Sequence, residues 1–280
     1  MTSLVSLHTQ GVMPMDWHAV ATAPQPSPPP PVTASEQLAR ADLASYTPGF
    51  TDKLFGKAKR RVAELELAVE AARQDDARAT QHALADHANA IQQWQYHQQL
   101  AQRMIARDTA AYHEVLDAWS ITEGLSTLGA QTIIQRLEPN GIQYLVGIDA
   151  ESNVPEIELR LTKTGKMSQK KMAVGKRWEV IQDHVCSAGL RLLSDSFALL
   201  CIDRVVVNVG GTAVNPATGH LEPVTWLALH ATRGAFSQIN PHAVDPSDSM
   251  VNFDARMQFR KTKGFTPVDP MSLDDQWVTT

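Results

Sequence analysis

Between Lys57 and Glu123 the chain contains neither glycine nor proline. Proline breaks helices and glycine weakens them, so this stretch is free to be helical throughout. Its flanks differ. Before it lies a proline-rich segment, and after it come β-branched runs punctuated by Gly, Asn and Pro. The chain therefore reads as a disordered Pro-rich tail (1–51), a helical or coiled-coil region (52–119), an α/β domain (120–270) and a short C-terminal tail (271–280).

The helical region starts near Asp52, a plausible N-cap. Ala58, Val62, Leu65, Val69 and Ala72 follow the 3-4 spacing of a coiled-coil seam. Asp76, Ala79, Ala83, Asp86 and Ala90 continue the register with small or charged residues, and the stripe returns from Trp94 to Trp119. An unbroken helix would be ~100 Å long at ~1.5 Å per residue. Asp108-Thr109 is a restart, because Asp caps helices well; a long helix and a short one over about 109–119 are expected. Two arrangements suit this pattern. The favoured one is homo-oligomerisation along the seam, and the other is an antiparallel helical hairpin within the chain.

The tail has few large apolar residues. Pro24 to Pro31 should be extended polyproline II, either a ligand for a partner's aromatic groove or a stiff spacer. Residues 35–45 can form a short helix, with Leu38, Ala41 and Leu43 as its only apolar support. Such a tail is expected to order only by lying across a neighbouring subunit.

Beyond Ser120 the signals are denser. Leu125, Leu128, Ile133, Ile134 and Leu137 mark an amphipathic helix ended by the turn Pro139-Asn140-Gly141. Residues 142–148 and 157–161 read as two strands joined by a polar loop, and 163–175 as a basic loop or irregular edge strand. Trp178, Ile181, Val185, Ala188, Leu192 and Leu199 predict a helix over 177–200. Val205 to Val209 predicts a central strand covered on both faces, and 224–230 a further strand. Asp245-Pro246-Ser247-Asp248 has the chemistry of a helix start, with that helix running to about Met257. The order indicates an α/β or α+β fold, a sandwich around one mixed sheet.

Net charge is −5 and the pI about 6.0, which gives no global attraction to nucleic acid or anionic membrane. No apolar run approaches the ~20 residues that span a bilayer, and the first residues lack a basic n-region and a continuous apolar core. A cytoplasmic protein that does not engage membranes is expected. Cys186 and Cys201 read as buried hydrophobes in a reducing compartment.

Catalytic signals are weak. GxxxxGK[ST], GxGxxG after a strand, GxSxG and CxxC are all absent. His82, His87, His97 and His113 do not share one helix face as metal ligands would. No cofactor or metal is expected, and the balance is against an enzyme. Asp149 with Glu156 and Glu158 is the one nuclease-like constellation, since metal-dependent nucleases place Asp and Glu-x-Lys on adjacent strands around Mg²⁺. Here Arg160 stands where Lys is usual, and Asp149 and Glu158 are close in sequence; solvated charges at a hairpin end are the plainer reading. Lys163, Lys166, Lys170, Lys171, Lys176 and Arg177 form a basic run suited to phosphates of nucleic acid or another polyanion, or simply a solvated loop. Only Trp178 is an adjacent aromatic, so stacking on single strands is not indicated.

Leu161 to Ser168, Asp183 to Ser187, Ala217 to His220, Asp245 to Asp248 and Lys261 to Phe265 resemble an uncharacterised bacterial domain family. In that family a similar C-terminal domain follows a variable coiled-coil region. The resemblance covers about 89–270 and implies a bacterial, cytoplasmic setting and no catalytic residues. The expectation is a non-enzymatic oligomeric scaffold or binding protein. The alternative is a metal-dependent nuclease or nucleic-acid-processing protein acting in defence against foreign DNA.

Overall fold

A computed structural model describes residues 5–49, 57–126, 129–161 and 167–275. It divides into two compact units, one of residues 18–101 and one formed by the chain before 18 together with the chain after 101.

The first unit is built on helices α1 (Trp17–Ala21, whose first residue belongs to the other unit), α2 (Ala34–Ser45) and α3 (Lys57–Ile105, whose last four residues belong to the other unit). The uninterrupted run of helix formers gives α3 its 49 residues, a length of about 70 Å. The proline segment lies along it. Trp94 Nε1 and Gln98 Nε2 donate to the Ala23 carbonyl at 2.9 and 3.0 Å, and His87 Nε2 is 3.1 Å from the Pro26 carbonyl oxygen. Thr80 Oγ1 accepts from Val32 N at 3.0 Å. As the chain advances, its partners step back along α3, so the two run antiparallel. Polyproline II has no internal hydrogen bonds, which leaves its carbonyls open to these side chains.

Asp76 explains why α2 begins where it does. Its carboxylate, buried on α3, accepts from Ser35 N and Glu36 N at 3.2 and 2.8 Å. It satisfies first-turn amides that have no partner within α2. The Glu36 amide, chiefly, holds this carboxyl below its usual range. Ala39, Leu43 and Tyr46 are half-buried in and just after α2, as are Val62, Leu65, Val69 and Ala72 on α3.

The second unit holds α4 (Thr109–Ala118), whose start was legible: the Asp108 side chain accepts from Ala110 N at 2.8 Å. A six-stranded mixed sheet follows. In chain order its strands are β1 (Ala130–Glu138), β2 (Gly141–Ile148), β5 (Arg204–Val214), β6 (Leu221–Thr232), β7 (Asp254–Arg260) and β8 (Gly264–Thr266), and they neighbour one another in that same order. β2 and β5 are parallel, and the other pairs are antiparallel. The β2–β5 crossover contains α5 (Ala150–Asn153), the separate hairpin of β3 (Ile157–Leu161) and β4 (Met167–Lys171), and α6 (Val174–Leu199). A four-residue helix, α7 (Arg233–Phe236), follows β6.

The core lies between α6 and one face of the sheet. Ile142, Tyr144 and Val146 of β2 are buried there with their register partners Val205, Val207 and Val209. The Tyr144 hydroxyl meets Ser196 Oγ of α6 at 2.9 Å. β5, hydrogen-bonded to a strand on either side, is the central strand expected.

Three expectations are corrected. Residues 130–138 form a strand, not an amphipathic helix, because β2 supplies a hairpin partner across Pro139-Asn140-Gly141. Residues 142–148 and 157–161 do not pair with each other but belong to different sheets. The helix expected from Asp245 to Met257 amounts to a 3-10 turn over Asp248–Asn252. Asp245 Oδ1 does accept from Ser247 N and Asp248 N, but Ala255, Met257 and Phe259 then alternate as a strand should.

The disordered tail is also revised. Residues 5–17 are strapped along α6 of their own chain, with Leu7 1% and Trp17 6% exposed. His8 N donates to Ser187 Oγ at 3.1 Å, Val12 N to Asp195 Oδ1 at 2.8 Å, and Met15 N to the Ala198 carbonyl at 2.8 Å. Trp17 Nε1 donates to the Leu199 carbonyl at 2.6 Å. The segment is ordered because Leu7 and Trp17 are buried and its backbone amides find side-chain and carbonyl acceptors at intervals down one helix.

Candidate functional site

The parallel pairing of β2 with β5 brings the carboxyl ends of two strands together, the place where open α/β sheets hold ligands. β2 ends at Ile148. Asp149 then caps α5, accepting from Ser152 N at 3.2 Å. Arg177 of α6 fixes this turn by donating to the carbonyls of Glu151 and Val154 at 2.5 and 3.2 Å.

The sheet face opposite α6 is covered over only part of its area. Asn208 and Met271 exchange two bonds, Nδ2 to carbonyl at 2.8 Å and amide to Oδ1 at 2.9 Å. Gln143 Oε1 accepts from Leu273 N at 3.1 Å, and Val206, Ala228, Met271 and Leu273 form a small buried cluster. Toward the carboxyl ends of the parallel strands this cover stops. Leu145 stays exposed, and so does Ile133, its register partner on β1. What remains is an open cavity of about 580 Å³.

Glycine shapes it. A Cβ at Gly147 would meet nothing within 4 Å, so the cavity opens directly above this residue. Gly210 and Gly211 do the reverse. A Cβ at Gly210 would fall 1.9 Å from the Val224 carbonyl oxygen, and one at Gly211 2.4 Å from Trp226 Cη2. Their lack of side chains lets β6 and the indole of Trp226 close on β5 at an irregularity in register. Phe265 supports Trp226 from β8, stacked at 5.7 Å and 17°.

The polar lining is asymmetric. Asp149 and Glu151 contribute exposed carboxylates, Gln131 and Thr212 neutral groups, and among the described residues no Lys, Arg or His borders the cavity. Among the described residues neither carboxylate has an ion-pair partner.

Asp149 thus lines the cavity, but the nuclease constellation is not assembled. Glu158, 6% exposed, pairs with Lys176 Nζ at 2.5 Å, and Glu156 with Lys171 Nζ at 3.8 Å. No group of three or more His, Cys, Asp or Glu residues among those described is placed to hold a metal ion. The basic run is partly neutralised for the same reason. The β3–β4 hairpin sets Lys170 opposite Glu158 and Lys171 beside Glu156, while Arg177 turns to carbonyls. Lys163 and Lys166 lie outside the described residues.

On α3 the seam residues Ala58, Val62, Leu65, Val69 and Ala72 are all half-buried. Sequence reasoning missed the cavity's glycines and Trp226, which come from three strands, and the His8–Ser187 contact, Nδ1 to Oγ 2.8 Å, that pins the N-terminal strap. Burial, more than any neighbour, lowers the His8 pKa below its usual value.

No protein-family model matches the chain, and searches of curated proteins and of solved structures return no match.

Proposed function

We propose that this is a non-catalytic binding protein that assembles with copies of itself along α3, in the bacterial cytoplasm suggested by the resemblance of residues 89–270. The observation that carries the reading is how little α3 buries. Of its 49 residues only Asp76, Leu100, Ala101 and Met104 are buried. The seam from Ala58 to Ala72 is still half open. Most helical stability in proteins comes from packing an amphipathic face. A second copy supplies the missing cover, with α2 and α3 of each chain contributing to a bundle.

Multi-angle light scattering of the full chain at ~50 μM tests this. The expected mass is a multiple of 30.7 kDa, reduced to the monomer by Leu65→Asp with Val69→Asp while circular dichroism keeps its helical signal. A monomeric wild type would sink the proposal and leave α2–α3 as a self-sufficient hairpin.

A further inference from the structure

We propose that the cavity above Gly147 binds a small organic cation, a primary amine or guanidine carried on a short alkyl stem. This reading does not rest on the self-assembly proposed above.

Three observations meet here. The space, about 580 Å³, falls in the range of small-molecule sites and lies at the carboxyl ends of the parallel strands. Its walls are apolar: Ile133 and Leu145 stand exposed to it, one 57% and the other 37% accessible. Among the described residues its charge has one sign, because Asp149 and Glu151 border it and no basic side chain does. An anion would be repelled. A neutral apolar molecule would leave both carboxylates with nothing to do. A cation on an alkyl stem matches both halves, stem against Ile133 and Leu145, charged head toward the carboxylates.

Two details sharpen the fit. The Ser152 amide already holds one oxygen of Asp149, which orients the carboxylate and leaves its remaining lone pairs for a ligand. Trp226, held by Phe265, gives the cavity an aromatic surface of the kind that attracts cations within ~6 Å of the ring. Gly147 keeps the floor free of a side chain, and Gly210 and Gly211 let β6 and the Trp226 indole close on β5 at its side.

The test is isothermal titration of the full chain with agmatine and with spermidine, alongside hexanoate and 1-hexanol, at ~50 mM salt. The amines should bind with a one-to-one stoichiometry and hexanoate should not. Asp149→Asn combined with Glu151→Gln should weaken amine binding at least tenfold. Asn caps helices as well as Asp does, so α5 is kept, and circular dichroism verifies the fold. Trp226→Phe should weaken binding several-fold and abolish the ligand-induced change in tryptophan emission. No amine binding to the wild type overturns the proposal. So does equal binding of 1-hexanol and the amines, which would make the cavity merely apolar, or a double variant that binds amines like the wild type, which would put the site elsewhere. The mass measurement above reads none of these outcomes.

Discussion

Replacing Trp17 by Ala should unlatch the N-terminal strap without unfolding the sheet. The strap is the run from Leu7 to Trp17 lying on α6, and Trp17 is its largest anchor. The indole is 6% exposed and donates to the Leu199 carbonyl at 2.6 Å. Truncating a buried Trp or Phe to Ala costs about 3–5 kcal/mol. That is a large part of a domain's ~5–15 kcal/mol, but here it falls on one segment held by two buried anchors and a few discrete hydrogen bonds. The opening equilibrium of the strap should therefore rise by roughly two to three and a half orders of magnitude, at ~1.4 kcal/mol per tenfold. Native-state hydrogen exchange reads this at the Val12 and Met15 amides, which are bonded to Asp195 and to the Ala198 carbonyl. Their protection should collapse by that factor, while Val205 to Val209 in the central strand stay protected. Trp17→Phe keeps most of the apolar contact and loses the indole bond, worth ~1 kcal/mol, so its effect should be about fivefold. Unchanged protection of Val12 and Met15 in Trp17→Ala would refute the view that the strap opens as one unit. Unprotected amides in the wild-type chain would show that it does not dock on its own α6.

Acidification should loosen the same region. Burial lowers the pKa of His8, outweighing the Val244 carbonyl and the Asp245 charge that favour its protonation; His242 acts in the same direction as burial. His230 is lowered in the same way despite Asp254. Unfolded histidines titrate near 6.5. The unfolded state therefore binds more protons below that pH, so stability is complete above about 6.5 and declines as pH falls through the folded values. Comparing melting temperatures at pH 7 and 5 for wild type and His8→Gln isolates the His8 share, and identical pH slopes would contradict it. Gly210→Ala drives a methyl onto the Val224 carbonyl oxygen and should cost at least the ~1–3 kcal/mol of overpacking; an unchanged melting temperature would mean that the β5–β6 irregularity is pliant.

The sequence announced those features that depend on neighbours in the chain. The absence of Gly and Pro after Lys57 marks α3, Asp108 marks the start of α4, and the valines from 205 to 209 mark a strand covered on both faces. It misled where two periodicities overlap. Leu125, Ile133, Ile134 and Leu137 satisfy a helical spacing, yet the chain from Ala130 pairs with β2, because a hairpin turn at Asn140-Gly141 makes that partner available. Asp245 carries a real cap, but a cap does not extend a helix when the residues after it alternate. The cavity was the least legible part. Asp149 drew notice for its charge, whereas Gly147, Gly210 and Trp226 signify nothing until β2, β5 and β6 lie side by side.

The proline segment has a consequence for recognition. Its Ala23 and Pro26 carbonyls are occupied by Trp94, Gln98 and His87 of α3. A foreign aromatic groove reading those prolines must first peel the segment away, so its apparent affinity is scaled down by the fraction of chains in which the segment is already free. The stretch that looks most like bait is in this chain already bitten, and a competitor announces itself by freeing the Trp94 indole, a change visible in fluorescence.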